Sequence, residues 1–148
     1  MIRMATDGDE PGVRDCAEDA YAPYVPLIGR EPAPMVADFA AQIAAGQVHV
    51  LPGDHGGIDG FIVFYPRGDH MFLENVAVRR RAAGRGIGKA LIGVCEAETR
   101  RLGLDTIRLY TNVKMAENLR IYRHLGFVET DRRREDGFDR VYFEKHLR

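Results

Sequence analysis

The stretch Ala83-Gly84-Arg85-Gly86-Ile87-Gly88 stands between a segment that alternates like a strand and a segment with helical periodicity. No other feature restricts the fold as much. Helix and strand periods alternate along the chain on both sides of this turn, which points to a mixed α/β layer fold. The same turn presents bare backbone N–H groups at a helix N-terminus, where the peptide dipoles favour an anion. Its glycines permit positive φ and let the backbone approach a phosphate closely. A ligand with a diphosphate is the natural guest.

Pattern separates the phosphate-bearing ligands. A nucleotide-binding P-loop requires glycine at position 83 and Ser or Thr after Gly88-Lys89, and the chain has Ala83 and Ala90. A dinucleotide fingerprint requires a third glycine three residues after Gly86, where Lys89 stands. Coenzyme A remains: the loop would hold its diphosphate, and an open strand edge would pair with its pantetheine amides. A tight turn that only packs helix on sheet stays open beside it, because a glycine-rich loop alone is not specific. Arg79, Arg80, Arg81, Arg85 and Lys89 favour phosphate, against the ordinary reading of such a run as solvated surface.

Ile2 to Ala5 reads as a short strand. Val13, Cys16, Ala17, Ala20 and Tyr21 recur at helical spacing, which predicts an amphipathic helix over 9–21 with Pro11 tolerated in its first turn. The Pro- and Gly-rich stretch from Tyr24 to Pro34 predicts a loop. A second helix carries Val36, Phe39, Ala40 and Ile43 and stops at Gly46. Strands over 47–51 and 58–65 meet at a turn over 52–57, and a strand over 70–78 completes a meander. The alternation of Met71, Leu73, Val76 and Val78 slips near Asn75, as a β-bulge would make it. A helix follows the glycine loop and closes at Gly103, and Thr106 to Tyr110 is a strand. Met115, Leu119, Tyr122 and Leu125 mark a last helix ending at Gly126, before a hairpin of strands over 127–133 and 140–145.

A length of 148 residues fits one domain, 1–148, and an apolar fraction of 45% is ample for its core. The net charge of −1 argues against a nucleic-acid binder. No apolar run is long enough to span a membrane, and the stretch Met1 to Asp7 has no signal-peptide core, which predicts a cytoplasmic protein without a membrane partner. Cys16 and Cys95 lie in helical patterns outside any C-x-x-C pair and read as buried apolar thiols, although a base beside either would make it a nucleophile. His49, His55, His70, His124 and His146 show no metal-ligand spacing, so no metal is expected.

Asn118 and Tyr122 are four residues apart and share a face of the last helix. Read alone, Tyr122 is a core aromatic and Asn118 a cap or surface residue. Two stretches together say more. Val76-Ala77-Val78 followed by Gly84-Arg85-Gly86-Ile87-Gly88-Lys89-Ala90-Leu91 resembles the acetyl-CoA motif of the GNAT superfamily of N-acetyltransferases. Asn118-Leu119-Arg120-Ile121-Tyr122 followed by Leu125-Gly126-Phe127 resembles its C-terminal motif. The pair at this spacing is specific where either half is not. One position departs. Aligned on Gly86 and Gly88, the place where the family usually has Gln or Arg is Ala83, and Arg81-x-x-Gly84-x-Gly86 fits only two residues out of register. Because the loop donates through backbone N–H groups, Ala83 weakens the motif without abolishing it.

The resemblance implies an α/β fold in which a twisted mixed sheet of about six to seven strands is flanked by about four helices. A splay between 70–78 and 106–110 would admit a thioester. It implies transfer of the acetyl group of acetyl-CoA to a primary amine of a small molecule or peptide, by direct attack and without a metal. Val76, Ala77, Val78, the loop residues Ala83, Gly84, Arg85, Gly86, Ile87, Gly88 and Lys89, and Asn118 would contact the cosubstrate. A backbone N–H near Val76 would stabilise the oxyanion, and Tyr122 would protonate the departing thiolate. Glu74 is the candidate base, with a salt-bridged strand carboxylate or a water chain as the alternatives. The irregular segment 21–34 falls where the family builds its acceptor pocket. Tyr24 and Arg30 are therefore expected substrate contacts, with Tyr21 and Glu31 beside them, and a rigid connector is the other reading. A homodimer is compatible with this reading. The rival is a non-catalytic acyl-CoA sensor, which would need neither Tyr122 nor Glu74. The failed loop patterns disfavour a third reading, a nucleotide-binding regulator.

Overall fold

The computed structural model describes residues 1–54 and 56–147. His55, in the turn expected over 52–57, lies outside them. The strands are β1 (Arg3–Met4), β2 (Val48–Pro52), β3 (Ile58–Arg67), β4 (His70–Val78), β5 (Thr106–Asn112), β6 (Val128–Glu135) and β7 (Phe138–His146). They form one mixed sheet in the order β1-β2-β3-β4-β5-β7-β6. The helices are α1 (Glu10–Tyr21), the single turn α2 (Val25–Ile28), α3 (Phe39–Ala44), α4 (Ile87–Arg101) and α5 (Ala116–His124). No described helix is long and apolar enough to cross a membrane.

The helical stripes bury as their spacing dictates. Val13, Cys16, Ala17 and Tyr21 of α1 join Phe61, Val63 and Ala77 in a core on one face of the sheet. Leu91, Ile92 and Cys95 of α4, with Leu119 and Tyr122 of α5, join Ile62, Leu73, Ile107 and Phe143 in a second core on the other face. The second helix is shorter than its apolar spacing predicts. Asp38 caps α3 by accepting from the Ala41 N–H at 3.1 Å, so the helix starts at Phe39 and Val36 is left outside it, 56% exposed. The expected loop over 24–34 holds α2, which Gly29 ends at φ +91°, and a 3₁₀ turn at Ala33–Met35.

Two irregularities in the sheet create the site. In the β3–β4 ladder Val63 pairs with Asn75 and Phe64 with Leu73, so Glu74 is the extra residue of a β-bulge. The bulge resets the alternation. Leu73 faces the α4 side, whereas Asn75 and Ala77 face α1. The second irregularity is the parallel pairing of β4 with β5, which is confined to Met71–Ile107 and Phe72–Arg108. Beyond the bulge β4 continues to Val78 without β5, while β5 stays on β7 through Asn112. The sheet is splayed there.

Helix α4 presses on the sheet at Gly60. A Cβ there would lie 2.9 Å from the Ile87 Cγ2 and 3.2 Å from the Ala77 carbonyl oxygen. Gly60→Val is expected to lower stability by about 1–3 kcal/mol through overpacking, read as a lower urea midpoint at unchanged slope.

Candidate active site

The splay leaves backbone groups of β4 without a strand partner, and the ladder identifies them. The Arg79 N–H donates to the Asp59 carbonyl at 2.8 Å, which makes 59·79 a hydrogen-bonded pair. Antiparallel pairs alternate, so 61·77 is bonded and 60·78 and 62·76 are not. The N–H and C=O of Val76 and Val78 therefore point away from β3, into the gap that β5 has vacated. The Val76 carbonyl accepts from the Tyr21 hydroxyl at 3.1 Å, from the α1 side.

A cavity of about 110 Å³ occupies the gap, and Glu74, Asn75, Val76, Asn118 and Tyr122 line it. Glu74 is in no salt bridge among the described residues. One of its carboxylate oxygens accepts from the Tyr65 hydroxyl at 2.8 Å and the other from the Gln42 side-chain amide. Two neutral donors thus fix the carboxyl group in place. Tyr122 is buried, with its ring packed on Phe127 and Phe143. Burial pushes its hydroxyl well above the ordinary tyrosine value, with Tyr24 adding to the effect, so near neutral pH it is a proton donor. Asn75 is clamped between elements. Its Oδ1 accepts from the Tyr21 hydroxyl at 2.6 Å and its Nδ2 donates to the Pro34 carbonyl at 2.8 Å.

Past Val78 the gap leads to the glycine loop. Gly84 and Gly86 have φ of +81° and +75°, and Gly86 is the N-cap of α4. Gly84, Arg85 and Gly86 donate to no backbone carbonyl among the described residues, and the first N–H groups of α4 have no intrahelical acceptor. Apart from chain neighbours and the helix's own backbone, no heavy atom of the described residues lies within 4 Å of where a Cβ would stand at Gly84 or Gly86, and at Gly88 Val78 alone comes that near. The loop is an open cradle of donors that fits a diphosphate. The basic run beside it is less available than its sequence suggests. Arg79 pairs with Asp15 at 2.8 Å, Arg80 with Asp19 at 3.3 Å and Arg81 with Asp59 at 3.4 Å. Arg85 and Lys89 have no such partner among the described residues.

A sequence profile of the Acetyltransferase (GNAT) family matches residues 14–127. The chain belongs to the GNAT acetyltransferase family. No curated protein compared with the chain matches it. Solved structures share its fold. Nourseothricin acetyltransferase is 24% identical, with a TM-score of 0.64 over 68% of this chain, which spans 65% of that longer protein. PaiA N-acetyltransferase from Thermoplasma acidophilum, solved with coenzyme A, is 16% identical, with a TM-score of 0.78 over 99% of this chain and 98% of that one. The ribosomal-protein-S18-alanine N-acetyltransferase of Escherichia coli is 22% identical, with a TM-score of 0.75 over 99% and 93%. At these identities the likeness is one of fold.

Within this GNAT fold the residues read from the sequence divide. Glu74, Val76, Asn118 and Tyr122 meet at the cavity, and residues 83–89 form the turn into α4 at the far end of the gap. Tyr24 and Arg30, expected as acceptor contacts, do not line it. Tyr24 packs against the α1-side core. The Arg30 guanidinium donates to the Asp136 carbonyl and lies 3.7 Å over the Phe138 ring, tying the segment after α2 to the β6–β7 turn. Both cysteines are buried, and burial pushes both thiols up to about 12, away from the thiolate form. Sequence reasoning missed Asn75, Tyr110 and Arg140, which also line the cavity. The slip of period at Asn75 was the only signal for any of them.

Proposed function

We propose that this protein transfers the acetyl group of acetyl-CoA to a primary amine. The observation that carries the reading is the edge of β4 that β5 leaves unpaired, which runs between the glycine cradle and a cavity lined by the Glu74 carboxylate of β4 and the neutral phenol of Tyr122 on α5. The cradle N–H groups, with Arg85 and Lys89, would hold the diphosphate, and the N–H and C=O groups of Val78 would pair with the pantetheine amides. Asn118, lining the same gap, would add a polar contact. Acetyl-CoA supplies an activated acyl group as its thioester. The Val76 N–H, aimed into the gap, donates to the acyl oxygen as negative charge builds there. Glu74 takes a proton from the incoming ammonium, because only the neutral amine is a nucleophile. The amine nitrogen bonds to the acyl carbon as the C–S bond breaks; the departing sulfur takes a proton from the Tyr122 hydroxyl, and the surplus proton on nitrogen restores that hydroxyl. Its raised pKa keeps it protonated, so Tyr122 itself causes no fall in rate below about pH 10.

Three measurements test this. Calorimetry is expected to show acetyl-CoA binding by the native protein and none by folded Gly86→Glu, whose side chain would fill and repel the diphosphate site. Unchanged affinity in that variant rejects the cradle. Tyr122→Phe is expected to lower kcat by about 10²–10⁴ with little change in the KM for acetyl-CoA, since the proton is needed only as sulfur leaves. Wild-type kcat in that variant removes Tyr122 as the acid. Glu74→Gln keeps the shape and loses the basicity, so the rate is expected to drop about a hundredfold at neutral pH. It should recover as pH rises toward the amine's own pKa, where the acceptor arrives neutral. Superimposable pH–rate profiles for wild type and variant would remove Glu74 as the base.

A further inference from the structure

Among the described residues only two charged side chains line the gap cavity, Glu74 and Arg140, and their signs are opposite. The other lining residues are neutral, among them Asn75, Asn112, Asn118 and Thr111. Arg140 is fixed in place. Its side chain is 11% exposed, and its guanidinium lies 4.3 Å over the Tyr110 ring. Its contacts with acids are long, 3.6 Å to Glu135 and 3.4 Å to Asp136, and both use Nη1. The Asp136 carboxylate is itself mostly exposed, so water competes for it. Nε and Nη2 make no hydrogen bond among the described residues. Those two groups form one edge of the planar fork with which a guanidinium holds a carboxylate through paired hydrogen bonds.

The geometry points to an acceptor that is an amine bearing a carboxylate, with its ammonium received by Glu74 and its carboxylate anchored by Arg140. This rests on the acetyl-transfer reading and names its substrate class. A second cavity, of about 480 Å³, shares Tyr110 and Arg140 with the first and is lined only by strand residues. Arg67, Arg108 and Arg133 add to Arg140 there, against Glu135 and Glu144. Arg108 and Arg133 are paired, with Glu144 at 2.8 Å and Asp131 at 2.7 Å, so among the described residues Arg67 is the cation left beside Arg140 to draw in an anion. Arg67 has no acidic partner among the described residues and lies 4.8 Å over the Phe72 ring. An amine without the carboxylate would leave the Arg140 fork dry and unpaired, and a site built around a polar partner rejects an analogue that lacks it.

The test measures initial rates with acetyl-CoA for α-, β- and γ-amino acids, each beside its carboxamide and its decarboxylated amine. At least one free acid is expected to exceed its carboxamide in kcat/KM by about tenfold or more. Basicity works against this outcome. The carboxamide's amine has the lower pKa and offers more neutral nucleophile at pH 7, so a preference for the acid reports the carboxylate. Arg140→Gln is expected to bring the acid-to-amide ratio close to one and Arg140→Lys to restore part of it, with the Kd for acetyl-CoA unchanged. The ratio within one preparation does not depend on how much of the variant is folded. If acetyl-CoA binds and the acid and amide are used equally, or only amines without a carboxylate are acetylated, or no member of the panel is acetylated, the inference is overturned and the acetyl-CoA reading stands. If acetyl-CoA does not bind, that reading fails and this one with it.

Discussion

One extra residue in one strand sets the geometry on which the rest of the site depends. Glu74 has no partner in β3. A bulge increases local twist and bends the strand that carries it, and β4 parts from β5 just before this point. Without the extra residue the parallel ladder could run on, and the N–H and C=O groups of Val76 and Val78 would be taken by β5. The same residue explains why Glu74 and Asn75, adjacent in sequence, both line the cavity when regular alternation would place them on opposite faces.

A bend of this kind needs bracing, because an open ladder exposes polar backbone inside the protein. Tyr21 and Asn75 supply it. The Tyr21 hydroxyl bridges the Asn75 side chain and the Val76 carbonyl, and Asn75 reaches the Pro34 carbonyl. Helix α1, strand β4 and the segment after α2 are thereby tied at one buried polar node. All its members are satisfied, which is the condition under which a buried network rigidifies a core. Arg30 extends the bracing to the β6–β7 turn. The residue that looked like a substrate contact in the sequence holds one wall of the cavity to another.

What the sequence made legible was whatever shows in local periodicity or local composition. The glycine turn into α4, the apolar stripes of the helices and the bulge all leave a mark within a dozen residues of themselves. The slip between Leu73 and Val76 is the bulge read in one dimension. What stayed hidden depends on contacts across the chain. Asp15, Asp19 and Asp59 neutralise Arg79, Arg80 and Arg81 only because α1 and β3 pack beside the start of the loop, so a basic run that read as a phosphate site is largely internal pairing. Arg140 alternates along β7 like any exposed strand residue. Its place at the cavity follows from the order β5-β7-β6, which carries β7 back beside β5 and is invisible to periodicity. Val36 fell outside its expected helix because the Asp38 cap outweighs the apolar spacing.

The two substrates of the proposed reaction would be held by different chemistry, and the fold separates the two. The acetyl-CoA end would rely on backbone: glycine N–H groups at a helix start and the open edge of β4. Such donors are fixed by main-chain geometry, and Gly60 under Ile87 sets where that helix start lies. The acceptor end would rely on side chains that line the cavity, from β4, β7 and the 32–34 segment. Side chains there can change without altering φ and ψ in the cradle, since the loop and β7 share no strand pairing. A change of acceptor therefore requires little more than a change at positions such as Arg140, whereas a substitution at Gly86 meets both the strain of φ +75° and the loss of the anion site.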